Sequence, residues 1–193
     1  MEPLNVKIIL GSTREGRFSD RVGAWMLDEA KRHEGITAEL LDLRDYEMPF
    51  FNEPVSTSYK QEPFKNEAVQ RWTAKIAEGD AFIVIAPEYN HGYPAVLKNA
   101  LDYVYQEWNN KAIGFVSYGS AMGARSVEQL RQVAIELQLA PVRNSVHMTY
   151  DVLMAIGKGT DPKEALASYA DRAKGLVEQV AWWGRALKTA RKQ

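Results

Sequence analysis

The sequence predicts an α/β fold: a doubly wound, parallel sheet of five strands with helices on both faces. Three observations carry this reading. Short, unbroken apolar runs recur along the 193 residues, as strands buried on both faces of a parallel sheet do. Each run leads through a polar loop into apolar residues at helical spacing. No internal repeat or low-complexity tract divides the chain, so residues 1–193 are expected to form a single domain. Strands alternating with helices then imply right-handed crossovers.

The first strand is read at Val6 to Leu10, followed by a polar loop, Gly11 to Ser19, that feeds a helix with Val22, Trp25, Met26 and Ala30 inward. Thr37 to Leu41 alternates loosely and is the second strand. Asp45 to Phe64 contains Pro49, Pro54 and Pro63 and cannot stay regular for long. Its Tyr46, Met48, Phe50, Phe51, Tyr59 and Phe64 nevertheless argue against disorder. Glu67 to Glu78 is a helix with Val69, Trp72 and Ile76 inward.

Ile83 to Asn99 is the stretch around which the rest is organised. Ile83, Val84 and Ile85 form the third strand, Pro87 to Tyr93 the loop, and Pro94 suits a first helical position. Leu97, Ala100, Leu101, Val104 and Trp108 then recur along one helical face. Ala112 to Ser117 is the fourth strand, with Tyr118 to Gly123 as the loop beyond it. Ser126 and Gln129 read as a capping box ahead of Val127, Leu130, Ala134 and Leu137. Val142 to Met148 is the fifth strand. Asp161, Pro162 and Glu164 mark the start of one long amphipathic helix through Leu166, Tyr169, Ala173, Leu176 and Val180.

Composition narrows the function classes. Hydrophobic residues make up 46% of the chain, and the formal net charge of -1 leaves no basic stripe for nucleic acid and no acidic tail. The absence of cysteine excludes disulfides, thiolate catalysis, iron-sulfur ligation and cysteine zinc sites, and it suits a reducing cytoplasm. No signal-peptide pattern opens the sequence, and no apolar run is long enough for a bilayer, so no membrane partner is expected.

The first loop has the G-x-x-x-x-G spacing of a P-loop from Gly11 to Gly16, but Arg17 and Phe18 stand where Lys and Ser or Thr are required. No G-x-G-x-x-G follows the first strand, so a dinucleotide fingerprint is absent. What the loop offers is hydroxyls from Ser12, Thr13 and Ser19, the arginines Arg14 and Arg17, and backbone amides at a helix N-terminus. That is a cradle for one phosphate, or else an ordinary polar loop. Glu88 and His91 lack a third ligand and make no metal site. His33, near a helix end, and His147, in an apolar strand, read as structural. Ser12 lacks the G-x-S-x-G elbow of a nucleophile. The tryptophans read as packing, with Trp182 and Trp183 placed to cover another subunit.

Pro87-Glu88-Tyr89-Asn90, followed by Pro94 and Leu97-Lys98-Asn99-Ala100-Leu101-Asp102, closely resembles the PEYN...P..LKNA.D signature of the NADPH-dependent FMN reductase family. That family has a flavodoxin-like fold and includes quinone, chromate and azo-dye reductases. Its first-loop pattern, G-S-x-R-x-x-S-x-N, is met by Gly11, Ser12 and Arg14, with Arg17 at the usual second Ser and Ser19 at the usual Asn. The resemblance implies a bound FMN whose phosphate meets Ser12, Arg14, Arg17, Phe18 and Ser19, with Arg14 as its main partner. Pro87, Glu88, Tyr89 and Asn90 would line the flavin ring, and Ser117, Tyr118 and Gly119 its other edge. Strand order 2-1-3-4-5 would bring the three loops together.

The Ser120 to Arg125 stretch departs from the family's glycine-rich version. The implied activity is hydride transfer from NADPH or NADH to FMN, then two-electron transfer to a small-molecule acceptor, a quinone or free flavin, by a ping-pong scheme. No catalytic side chain is required of the protein. A homodimer or homotetramer is expected from Phe50, Phe51, Tyr93 and Tyr105. A flavodoxin-type electron carrier and a flavin-binding regulator stay open as alternatives.

Overall fold

In the computed structural model, which describes residues 2–193, β1 (Leu4–Leu10), β2 (Ile36–Asp42), β3 (Ala81–Pro87), β4 (Ala112–Tyr118) and β5 (Ala140–Met148) form one parallel sheet in the order 2-1-3-4-5. Helices α1 (Ser19–Lys31), α2 (Glu67–Glu78), α3 (Ala95–Asp102), α4 (Ala124–Glu136), α5 (Tyr150–Gly157), α6 (Pro162–Leu166) and α7 (Ala170–Ala190) surround it. β3 and β4 are buried along their whole length, which is why they read as unbroken apolar runs.

Alternation along each strand divides the core in two. Val6, Ile8, Leu10, Ile83, Ile85 and Val116 face α1 and α7, whereas Ile9, Phe82, Val84, Ile113 and Phe115 face α2, α3 and α4. The proline-containing segment is ordered by its aromatics. Tyr46 packs edge-on against Trp72 at 5.2 Å, and Phe51 and Phe64 both meet Tyr103, at 5.2 and 5.5 Å. No described helix is long and apolar enough to cross a membrane.

Three local readings differ from the structure. α3 stops at Asp102, and Val104 and Trp108 lie beyond it, Trp108 in a 3-10 turn. They keep the apolar spacing because the turn buries them against the same core, with Trp108 edge-on to Phe82 at 4.6 Å. The capping box does not form. Gly123 precedes α4 in a left-handed conformation, and Ser126, already inside the helix, donates its hydroxyl to Pro87 O at 3.1 Å. Finally, the single terminal helix is three pieces. A 3-10 turn at Ala167–Tyr169 separates α6 from α7 and buries Tyr169, whose hydroxyl accepts from the Thr149 amide at 3.0 Å, while α5 has no counterpart in the sequence reading.

Lys7, buried in β1, reaches out of the sheet to Glu39 and Glu78 on neighbouring elements, and Lys75 bonds both carboxylates from the surface. Burial works to raise Glu39, but the bonds from Lys7 and Lys75 outweigh it and hold the carboxyl below its ordinary range. Lys7, then Lys75, holds Glu78 down, and the two carboxylates raise Lys75 in turn. A lowered carboxylate contributes stability that is complete above the unfolded pKa and is lost as pH falls through the folded one; the raised lysine loses its contribution as pH rises through its own folded pKa. Urea midpoints followed by tryptophan fluorescence should therefore hold level between roughly pH 6 and 9 and decline on both sides. The acid decline should be shallower in Lys7→Met, and an equally steep one would refute this account.

Candidate functional site

Parallel pairing sets Leu10 opposite Asp42 on one side and Ile85 on the other, so the loop leaving β1 emerges beside the ends of β2 and β3. Gly11 N–H continues the ladder to Ile85 O at 2.9 Å. Ser12 is buried, and its hydroxyl meets Tyr89 Oη at 2.7 Å and accepts from the Arg14 amide at 3.3 Å. Thr13, Arg14, Glu15 and Gly16 are exposed. Arg14 carries no ion-pair partner among the described residues.

Arg17 turns inward, to Ser12 O, Asp20 and Asp42. Burial opposes its charge, but the hydrogen bonds it donates to Asp42 and Asp20 prevail and hold the guanidinium above its usual value. Phe18 precedes α1 without a side-chain cap, so no side chain caps the first amides of the helix, of which that of Arg21 reaches Phe18 O at 3.1 Å, and the Phe18 ring sits edge-on to Tyr118 at 5.4 Å. Ser19 Oγ and Tyr118 Oη are both buried without a hydrogen-bond partner.

The loop after β3 is a tight turn. Tyr89 and Gly92 exchange backbone hydrogen bonds at 2.8 and 3.0 Å, and Asn90 and His91 between them have φ of 50° and 69°, as a type I′ turn requires. Pro87 closes β3, and Glu88 then donates its amide to Tyr118 O at 2.9 Å. The Glu88 side chain, 3% exposed, is gripped by Arg125 through Nε at 2.6 Å, through the terminal nitrogen and through the backbone amide at 3.2 Å. It is a latch between two loops, not a free acid or base.

Beneath the loop after β4, Ser117 Oγ donates to Met122 O at 2.8 Å and lies 2.8 Å from His147 Nδ1. A hydroxyl has a single proton, so Nδ1 is the donor in the second bond. Burial lowers the pKa of His147, which keeps the ring neutral, and burial likewise pushes the Tyr118 phenol up. Gly119 has φ of 152° and passes so near Glu88 that a Cβ would lie 3.0 Å from the Glu88 Cβ. His33 lies elsewhere, against Glu34 O, and no trio of metal-ligating side chains occurs among the described residues.

The three loops singled out in the sequence therefore converge, joined by Ser12–Tyr89, Glu88–Tyr118 and Phe18–Tyr118. Sequence reasoning missed Asp42, Asp20 and Arg125, the partners that fix Arg17 and Glu88. Asp42 had one available signal, its place at the end of the strand that borders β1. A surface cleft of about 480 Å³ lined by Phe50, Tyr93, Lys98 and Asn99 adjoins the site on the Tyr93 side.

Residues 4–152 match the NADPH-dependent FMN reductase family. The chain belongs to that family. It is 34% identical to an NAD(P)H-dependent FMN reductase of Schizosaccharomyces pombe over 77% of this chain and 76% of the relative. It is 32% identical to one of Nectria sp over 92% and 86%, and 30% identical to an NAD(P)H:quinone oxidoreductase of Solanum tuberosum over 70% of each. Among solved structures, the flavoenzyme FerB, an NAD(P)H:(acceptor) oxidoreductase of Paracoccus denitrificans, superposes with a TM-score of 0.72 at 21% identity, covering 95% of this chain and 98% of that one. The last comparison speaks to the fold, a flavodoxin-like sheet.

Within this FMN reductase fold, Gly119 and Gly16 both hold positive φ, but only Gly119 faces a neighbour. Gly16→Ala should cost about 1–2 kcal/mol for its left-handed backbone, and Gly119→Ala clearly more because the methyl also displaces Glu88. Urea denaturation of both variants checks the order. Equal costs would show that the close approach of the two loops carries no weight.

Proposed function

We propose that this chain is an FMN-dependent oxidoreductase that takes reducing equivalents from NADPH or NADH and delivers two electrons to a quinone, free flavin or a similar small acceptor. The observation that carries this reading is the junction of three loops at the carboxyl edge of the sheet, where the N-terminus of α1 meets two loops tied to one another. Bound FMN would supply the redox chemistry, as hydride acceptor and then electron donor. Arg14, exposed and unpaired, is positioned to meet the phosphate, with the open amides of the loop and of α1 around it. The buried hydroxyls of Ser19 and Tyr118 bear on one another without a well-formed hydrogen bond and so keep bonding capacity for a ligand or water, which supports the fit. Of the residues expected around the ring, Tyr89 and Asn90 lie at one edge and Gly119, beside the largely buried Tyr118, at the other, whereas Pro87, Ser117 and the Glu88 side chain are buried and would act by supporting these loops.

Hydride transfer to a bound flavin needs no ionising side chain of the protein, and two of the site's titratable groups are already engaged: Glu88 is paired with Arg125, and His147 is buried under the loop; His91 is exposed in the β3 turn. A single open site beside Tyr89 to Tyr93 has to serve donor and acceptor in turn, which is the basis for a ping-pong order. Names among the relatives include both FMN reductase and quinone oxidoreductase, and they support the two acceptor classes. The cysteine-free composition supports a cytoplasmic enzyme. Phe50, 81% exposed at the rim of the cleft beside Tyr93, supports a homodimer or homotetramer, although Phe51, Tyr93 and Tyr105 pack partly against the chain's own core.

Arg14→Ala should weaken FMN by about 1.5–3 kcal/mol, the value of a hydrogen bond to a charged group, and leave riboflavin nearly unchanged. Fluorescence titration with both flavins tests this, and equal weakening would argue against the phosphate assignment. The purified protein should show a flavin absorbance band that bleaches with NADPH and returns on adding a quinone. Initial-rate plots at several fixed quinone concentrations should be parallel; intersecting lines would overturn the shared site.

A further inference from the structure

Arg17 lies beneath the loop to which it belongs. Its side chain is 1% exposed, and every N–H of its guanidinium is engaged. Nε donates to Asp20 Oδ1 at 2.7 Å, one terminal nitrogen donates to Ser12 O and to Asp42 Oδ1 at 2.8 Å, and the other donates to Asp20 and Asp42 together. Asp42 ends β2 and Asp20 lies in the first turn of α1, so a single side chain joins the ends of two strands to the start of a helix. Arg44 closes the cluster by donating to Asp20 Oδ2 at 3.2 Å and to Arg14 O at 3.4 Å.

Two consequences follow from charge and geometry. The cluster holds two cations and two carboxylates, so it presents no surplus positive charge to an anion. In a trans peptide the C=O and the following N–H point in opposite directions. Arg17 draws the Ser12 carbonyl inward, which turns the Thr13 amide outward. The Arg14 carbonyl is held by the Arg17 amide at 3.2 Å and by Arg44, which turns the Glu15 amide away from both. Thr13 and Glu15 are exposed, and their amides make no hydrogen bond among the described residues. Free backbone N–H groups in such a loop are of the kind that compose an anion-binding nest.

We infer that Arg17, clamped by Asp42 and Asp20, is a positioning residue that presets the amides of the first loop for the FMN phosphate and does not itself touch it. This rests on the reading of that loop as the phosphate site. It departs from the expectation that Arg17 is a cofactor contact, and the two roles predict opposite responses to the same change. If Arg17 were a direct ligand held back by its carboxylates, releasing it would tighten FMN. As a clamp, releasing it loosens the nest and weakens FMN.

The test is fluorescence titration of the full chain, freed of flavin, with FMN and with riboflavin. Asp42→Asn should lower the ratio of FMN to riboflavin affinity by roughly tenfold, the loss expected when one well-oriented bond to a charged group is spoiled. Asp20→Asn, at a half-exposed and more tolerant position, should lower it in the same direction, and Asp42→Glu should restore part of it. A ratio left unchanged or raised by both asparagine variants would overturn the clamp. An intact protein that binds riboflavin as well as FMN would overturn the phosphate reading, and the clamp with it.

Discussion

The hydrogen bond from the Glu88 amide to Tyr118 O is the interaction on which the site depends. It lies just past the last paired residues of β3 and β4, Pro87 and Tyr118, and keeps the two strand ends together for one step beyond the sheet. Because of it, Gly119 passes against the Glu88 Cβ, Arg125 at the start of α4 reaches the Glu88 carboxylate, and Ser126 reaches Pro87 O. Only a residue without a side chain can make that approach at positive φ. The buried carboxylate is acceptable because it is paired through both the side chain and the backbone of Arg125, and loss of either partner would strand a charge.

A second brace works from the opposite side. The loop after β1 is bound inward through Ser12, Arg14 and Arg17, whereas its outward surface has open amides and the free Arg14. Such a division suits a binding site that is formed before its ligand arrives, since ordering a loop at the moment of binding would subtract from affinity. The Ser12–Tyr89 hydrogen bond joins this brace to the β3 turn. His147 supports the remaining loop from below through Ser117, a neutral ring donating to a hydroxyl that in turn holds the Met122 carbonyl.

These braces engage much of the polar side-chain chemistry around the site. Glu88 is spent on Arg125, Arg17 on Asp20 and Asp42, and Ser117 on His147 and the Met122 carbonyl. What remains open consists of backbone amides, one arginine, the Asn90–His91 turn and aromatic edges. That inventory can bind and orient a cofactor that brings its own reactivity, consistent with membership of the FMN reductase family.

Much of the fold was legible in the sequence because parallel strands buried on both faces leave unbroken apolar runs, and helices that cover them leave a regular stripe. Val6 to Leu10, Ile83 to Ile85 and Glu67 to Glu78 could be read directly for that reason. The same logic failed at Val104 and Trp108, where apolar spacing persists after the helix has ended, and at Tyr169, where a turn interrupts a continuous stripe. Spacing records burial, not backbone conformation. The sequence by itself determined which loops bear the polar and aromatic residues, since each follows a strand. Only the tertiary structure decided what those residues do. That Arg17 meets Asp42 and that Glu88 is held by Arg125 depends on groups 25 and 37 positions away along the chain, which only the packing of strands, loops and helices brings within hydrogen-bonding distance.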